Sequence, residues 1–260
     1  MSLWQAVKLA LSAIKNNKLR SFLTMLGVII GVGSVLALVS LAEGSTKQVT
    51  RQIQSLGTNL VTVSITGRGT QTTLSYDEAM ELGNKPGIAA TSPSINGSVT
   101  VKYGSKNTDT SLEGTNAEYE QVRNTHVQDG RFILPIDVVY RQKVCLLGTE
   151  VAQELFGTSN PVGETVKING MNFLVVGLLE KKGTSMGGSS DNRVIVPITA
   201  AQTLLRNRGV RTIYFQAESP EAVDQVVALL EASLLKKFKD TDAYRVFNQT
   251  EMLSTISEIT

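Results

Sequence analysis

The sequence is short of most of the side chains that announce chemistry. It has one cysteine, Cys145, so no disulfide forms within the chain, and one histidine, His126, so the Cys/His clusters of zinc sites are missing. Residues 181–192 are rich in glycine and serine, but no Lys-Ser/Thr pair follows them into a helix. They run into the apolar RVIVPI, so this is not a phosphate-cradling loop, and without a Walker A the chain does not hydrolyse ATP on its own. Charge of one sign is also lacking. Twenty-five Lys and Arg against 23 Asp and Glu leave a net +2, too little field to recruit nucleic acid. His126 lies in the polar turn RNTHVQDG with Asp129 nearby, but no nucleophile elbow accompanies it, so no catalytic, cofactor or metal site is assigned.

What is present is apolar. Of 260 residues, 42% are hydrophobic and 18% charged, which places the chain among folded proteins. The first 42 residues carry Lys8, Lys15, Lys18 and Arg20 and no acid, and from Phe22 to Ala42 run 21 residues without a charge. As a helix at about 1.5 Å per residue this segment spans roughly 30 Å, the thickness of a hydrocarbon core. Ser40-Leu41-Ala42 imitates a signal-peptide cleavage site, but the apolar run is longer than a signal core and carries Gly27, Gly31 and Gly33, so it reads as a retained anchor. Gly27 and Gly31 form a small-xxx-small pair that lets a second helix approach closely. Basic flanks on the N-terminal side place the N-terminus in the cytoplasm and the main domain outside. Leu3, Val7, Leu11 and Ile14 recur at helical spacing, either as an amphipathic helix on the inner leaflet or as the cytoplasmic start of the same helix.

Beyond the membrane the pattern alternates. A stalk helix is expected over 43–57, a strand over Leu60–Ile65, and a helix after the capping box Ser75-Tyr76-Asp77-Glu78, ending near Gly83. Pro86-Gly87 turns the chain into a strand from Ile88 to Ile95, and from about Gly97 short strands and turns take over. Asn169-Gly170, between ETVKI and MNFLVVGLL, is a strong hairpin signal, and Cys145 sits within the buried strand KVCLLG. The last third is read as strand Arg193–Ile198, helix Thr199–Asn207, strand Arg211–Ala217, helix Pro220–Phe238 and strand Tyr244–Phe247. The fold class is α+β: one α/β lobe over 58–96 and 193–248, a β-rich insert over 97–192, and a helix over 249–260.

The run Asn17-Lys18-Leu19-Arg20-Ser21-Phe22-Leu23-Thr24-Met25-Leu26-Gly27-Val28-Ile29-Ile30-Gly31-Val32 resembles the entry to the first membrane helix of MacB/FtsX-type ABC transporter permeases, the type VII exporters. Similar matches stand in order at Glu43-Gly44, Leu56-Gly57-Thr58-Asn59, Gly130-Arg131-Phe132, Leu155-Phe156-Gly157, Pro161-Val162-Gly163, Val175-Val176-Gly177 and Val196-Pro197-Ile198. The resemblance implies a porter-like α/β lobe with an inserted sabre-like lobe, a bacterial inner-membrane location, and a dimer of permease copies. It also implies a separate cytoplasmic ABC ATPase and an adaptor protein, with cargoes from macrolides to lipoproteins. Such permeases carry three further spans, so the resemblance makes this chain the N-terminal part of a longer one. The competing class is a single-span anchored module that binds or scaffolds without ATPase coupling.

Overall fold

The computed structural model describes residues 4–5, 18–54, 59–67, 73–185 and 188–248. The segment expected to be amphipathic lies outside them apart from Trp4 and Gln5, which are helical, and so does the helix expected over 249–260. The chain divides into two compact units, Met1–Thr50 and Arg51–Ile259.

The apolar run folds as one helix, α1 (Lys18–Gln54), and the stalk helix expected beyond the span is, as far as Gln54, its direct continuation. Nothing in these 37 residues is a proline, so no backbone donor is lost along it.

In the second unit, β1 (Leu60–Ile65) is the second strand of an antiparallel sheet. It pairs with β12 (Tyr244–Asn248) on one side and β11 (Thr212–Ala217) on the other, and β11 pairs with the first half of β2 (Ile88–Tyr103). Alternation fixes the faces: Val61, Val63 and Ile65 of β1 and Ile213, Phe215 and Ala217 of β11 are buried. Onto them packs α7 (Val223–Phe238), whose Val226, Leu230, Leu234 and Phe238 recur every four residues as one buried stripe. The shorter α2 (Tyr76–Gly83) opens with the expected capping box, the Ser75 and Glu78 side chains each bonding the other's backbone N–H. Lys237 of α7 reaches Glu78 at 2.5 Å, and with the Ser75 amide it holds that carboxyl down to about 2.

The chain then does something the pattern did not announce. The strands expected on either side of Gly97 are one 16-residue strand, β2, roughly 50 Å long. Its second half pairs with β3 (Lys106–Thr115), and Pro93 lies near the changeover from β11 to β3, where a missing N–H costs least. The backbone there is satisfied by side chains: Asn116 Nδ2 donates to Thr91 O at 2.9 Å and Thr115 Oγ1 to Pro93 O at 3.1 Å.

From β3 the pairing continues through β10 (Arg193–Pro197), β5 (Val144–Leu147), β7 (Met171–Leu179) and β6 (Thr165–Ile168), and β6 pairs back to β2. The circuit is closed, so these strands form a small barrel and have no open ladder on that path. β4 (Val127–Gly130) adds to β7. Val101, Leu112, Cys145, Leu147, Val166, Ile168, Phe173, Val175, Val194 and Val196 fill one cluster with α5 (Thr149–Phe156) and α6 (Ile198–Leu204). Burial alone pushes the Cys145 thiol up, in keeping with a core role. The turn of β6–β7 takes the expected form, with Asn169 and Gly170 at φ 46° and 85°. α6 lies so close to β3 that a Cβ on Gly114 would stand 2.0 Å from the Ala201 Cβ.

One lobe boundary shifts accordingly. The expectation placed 193–197 in the first lobe, whereas β10 is hydrogen-bonded between β3 and β5 inside the barrel. Its apolar run reads the same for either sheet, and only the long-range partner decides.

Candidate functional site

Three features outside the regular core have the character of functional surfaces. The first is the apolar stretch of α1, Lys18–Leu41, which is long enough to cross a bilayer and has no residue buried. Its polar side chains turn back on the helix: Thr24 Oγ1 donates to Arg20 O at 2.8 Å and Ser34 Oγ to Gly31 O at 3.0 Å. Gly27 and Gly31 share one face, and a Cβ at either would meet nothing within 4 Å. Among the described residues no helix occupies the groove they leave.

The second feature is a buried polar cluster where the sheet passes into the barrel. Glu113 of β3 accepts hydrogen bonds from Tyr119 Oη at 2.6 Å and Ser94 Oγ at 2.9 Å, with the Arg193 guanidinium 3.8 Å away. Tyr119 begins the one-turn helix α3 (Tyr119–Val122); its ring lies parallel to Phe132 and edge-on to Tyr214. Arg123, just past α3, stacks over the Tyr214 ring at 4.5 Å. Burial raises both phenols, Tyr119 well above its ordinary value and Tyr214 to about 12. Burial works against the Arg123 charge, but Tyr119, Tyr214 and Glu113 more than offset it, so the guanidinium stays charged. Residues of β2, β3, α3, β10 and β11 thus meet in one network, which rigidifies the junction so long as each member keeps its partner.

The glycine-rich loop after β7 is anchored to this junction. Asp191 accepts the backbone N–H of Lys182 at 2.8 Å and of Gly183 at 2.9 Å, closing the loop at its base. The Lys182 ammonium donates to the carbonyls of Arg123 (3.2 Å) and Asn124 (2.6 Å) and to Thr125 Oγ1 (3.1 Å). Burial of that ammonium, reinforced by Arg193 and Arg123, lowers it to about 8. Between these anchors the loop carries a short hairpin, β8 (Thr184–Ser185) with β9 (Gly188–Ser189).

The third feature is α4 (Pro135–Val139), which the sequence pattern missed because five residues show no period. It is held firmly: Arg131 forks onto Asp137 at 2.6 and 3.1 Å, Asp137 caps the Leu134 N–H at 2.9 Å, and Thr199 Oγ1 donates to Val138 O at 3.0 Å. Burial would raise the Asp137 carboxyl, but Arg131 and the Leu134 amide outweigh it and leave it below the ordinary value. Beside α4 opens a cleft of about 270 Å³, lined by Tyr76, Asn116, Glu118, Val138, Val139 and Arg141 among others.

The sequence singled out His126 and Asp129 as neighbours in one polar turn. His126 is exposed, its Nε2 2.7 Å from Asn124 Oδ1 and its Nδ1 3.6 Å from Glu120, while Asp129 bonds Gly130 N and the Asn160 amide. Among the described residues no group of His, Cys, Asp and Glu could hold a metal ion.

Residues 21–233 match the family model of the MacB-like periplasmic core domain. The chain is 30% identical over 280 residues to the macrolide export ATP-binding/permease protein MacB of Chlorobium luteolum, covering 100% of this chain and 42% of that protein. It is 28% identical to the pyoverdine export ATP-binding/permease protein PvdT of Pseudomonas aeruginosa, over 96% of this chain and 39% of that protein. The chain therefore spans about two fifths of the length of these curated relatives. Among solved structures, the periplasmic region of MacB from Actinobacillus actinomycetemcomitans superposes with a TM-score of 0.67 at 20% identity, over 80% of this chain and 97% of that one. At that identity the likeness speaks for the fold.

Proposed function

Because this chain belongs to the MacB-like periplasmic core domain family, we propose that it is the membrane anchor and extracytoplasmic domain of an ABC-exporter permease. In this reading ATP is hydrolysed by a partner ATPase in the cytoplasm, two permease copies work together, and the outer domain moves to handle a cargo or an adaptor protein. The observation that carries it is the combination in one chain of a bilayer-length apolar helix and the domain fold of the MacB periplasmic region.

The geometry suits a part that transmits movement rather than one that makes bonds. α1 is continuous over 37 residues, roughly 55 Å, with no proline to bend it. β2 is shared by sheet and barrel, and one apolar core joins Val61, Val63 and Phe215 of the sheet to Leu146, Leu179 and Ile195 of the barrel strands, so displacement of one is passed to the other, and the Glu113–Tyr119–Arg123–Arg193 network resists shear at the junction. The Gly27–Gly31 face would receive a helix of the second copy or of the same permease, and the N-terminus would lie in the cytoplasm, the domain in the periplasm or outside.

The test is to purify the gene product, tagged, from its native membrane and to measure ATP turnover of whatever ABC ATPase is bound to it. Turnover that falls when the outer domains of the two copies are locked together by an engineered cross-link supports the coupling. A folded, membrane-inserted product with no ATPase bound would instead favour the anchored binding or scaffold module.

A further inference from the structure

α4 exposes more apolar surface than its position requires. Leu134, Ile136, Val139 and Tyr140 all stand out from a seven-residue stretch, Val139 at 72% and Tyr140 at 69% exposure. This is not a floppy loop, because Asp137, Arg131 and Thr199 pin the helix that presents them. A rigid cluster of large apolar side chains on a domain surface marks a contact site. The neighbouring cleft, at about 270 Å³, is slightly below the roughly 300–1,000 Å³ of small-molecule sites. A shallow pocket flanked by apolar side chains instead has the form of an anchor point in a protein interface.

The charges select the partner. Glu118 and Arg141 both line the cleft, both are exposed, and neither makes an ion pair among the described residues. Arg141 is held in the left-handed region at φ 52° by the turn that ends α4. One acid and one base on the same face form a self-complementary pattern, because a twofold axis between two copies sets i against j and j against i. We propose that the α4 face is where the globular domains of two copies of this chain pair. Glu118 of each copy meets Arg141 of the other, and Ile136, Val139 and Tyr140 pack between the two ion pairs, next to the cleft. The inference rests on the reading that two copies work together. An interface this small is sufficient when both copies are anchored in one bilayer, since tethering raises the effective concentration to about the millimolar range.

The full chain is placed in vesicles of phosphatidylethanolamine and phosphatidylglycerol with Tyr140→Cys and oxidised gently; Cys145 is fully buried and stays silent. The expected result is a disulfide-linked dimer for Tyr140→Cys, or for Val139→Cys should the first variant fail to fold, and none for Lys106→Cys at the tip of the β2–β3 hairpin. Glu118→Arg or Arg141→Glu alone lowers the yield about tenfold, and the double exchange restores it. Energy transfer between copies labelled at the N-terminus reports pairing by any route. Transfer with no cross-link at 139 or 140 overturns the assigned face and leaves the paired reading standing, whereas no transfer removes both. A cross-link indifferent to the charge exchanges, or one formed in native membranes only to a different protein, overturns the proposal.

Discussion

Replacing Tyr119 by Phe keeps the ring, its stacking on Phe132 and its edge contact with Tyr214, and removes one oxygen. That oxygen donates to Glu113 at 2.6 Å in a place where Tyr119 is fully buried. Glu113 would keep Ser94 Oγ at 2.9 Å and the distant Arg193, so its charge loses its shortest partner without being left bare. A hydrogen bond to a charged group contributes about 1.5–3 kcal/mol. In a folded unit of this size each kcal/mol moves the melting temperature by about 2–4 °C, so the expected fall is about 3–12 °C. The assay is thermal unfolding of the full chain in detergent followed by near-ultraviolet circular dichroism, which reports the six tyrosines. Glu113→Gln lowers stability as well, and the double variant loses less than the sum of the two, because both remove the same bond. A fall below about 1 °C for Tyr119→Phe, or additive losses in the double variant, would refute the claim that this network holds sheet and barrel together.

Gly114→Ala drives a methyl into Ala201 and costs about 1–3 kcal/mol, and Ala201→Gly on the same chain restores the loss in a urea titration. Asp137 has a lowered carboxyl in the folded state, so its contribution is complete above about pH 4 and is lost as pH falls through the folded value. Asp137→Asn is therefore less stable at pH 7, by about 1.5–3 kcal/mol, and acid unfolding curves of variant and parent converge as the pH falls below the ordinary carboxylate range. Lys182 titrates near 8 in the folded protein and near 10.4 in an unfolded chain, so between those values the unfolded state binds more protons and stability rises with pH. Lys182→Met removes that rise, as chemical denaturation at pH 7.5 and 10 would show. Gly31→Leu fills the open face of α1 and lowers self-association of the helix in a membrane two-hybrid reporter, while Ile29→Leu, on the opposite side of the helix, leaves it unchanged.

How far the sequence was legible depended on the range of the interaction behind each element. The capping box at Ser75–Glu78 and the turn at Asn169-Gly170 involve neighbours within a few residues, and both take the forms their residues demand. α7 was readable from its four-residue apolar spacing. β2 was not readable as one strand, because Pro93 and Gly97 signal interruption locally, while continuity comes from β11 on one half and β3 on the other. The junction network escaped for a related reason: Ser94, Glu113, Tyr119, Arg123, Arg193 and Tyr214 come from five elements, and each alone looks like an ordinary polar residue on a strand or turn. α4 escaped because one turn of helix has no detectable period, although LPIDVVY carries an unusual density of apolar residues for a connection.

The sequence by itself determined what local chemistry decides: an uncharged stretch of bilayer length, helix and turn punctuation, and the alternation that assigns strand faces. Tertiary structure alone decided which strands pair. A strand's backbone offers the same donors and acceptors to every possible neighbour, so RVIVP can join the sheet or the barrel until the packing of α6 against β3 places it. The same holds for charge. Glu113 and Arg193 become a largely buried pair, and Glu118 and Arg141 an exposed couple without an ion pair among the described residues, only because folding removes most of the water from one pair and leaves it on the other.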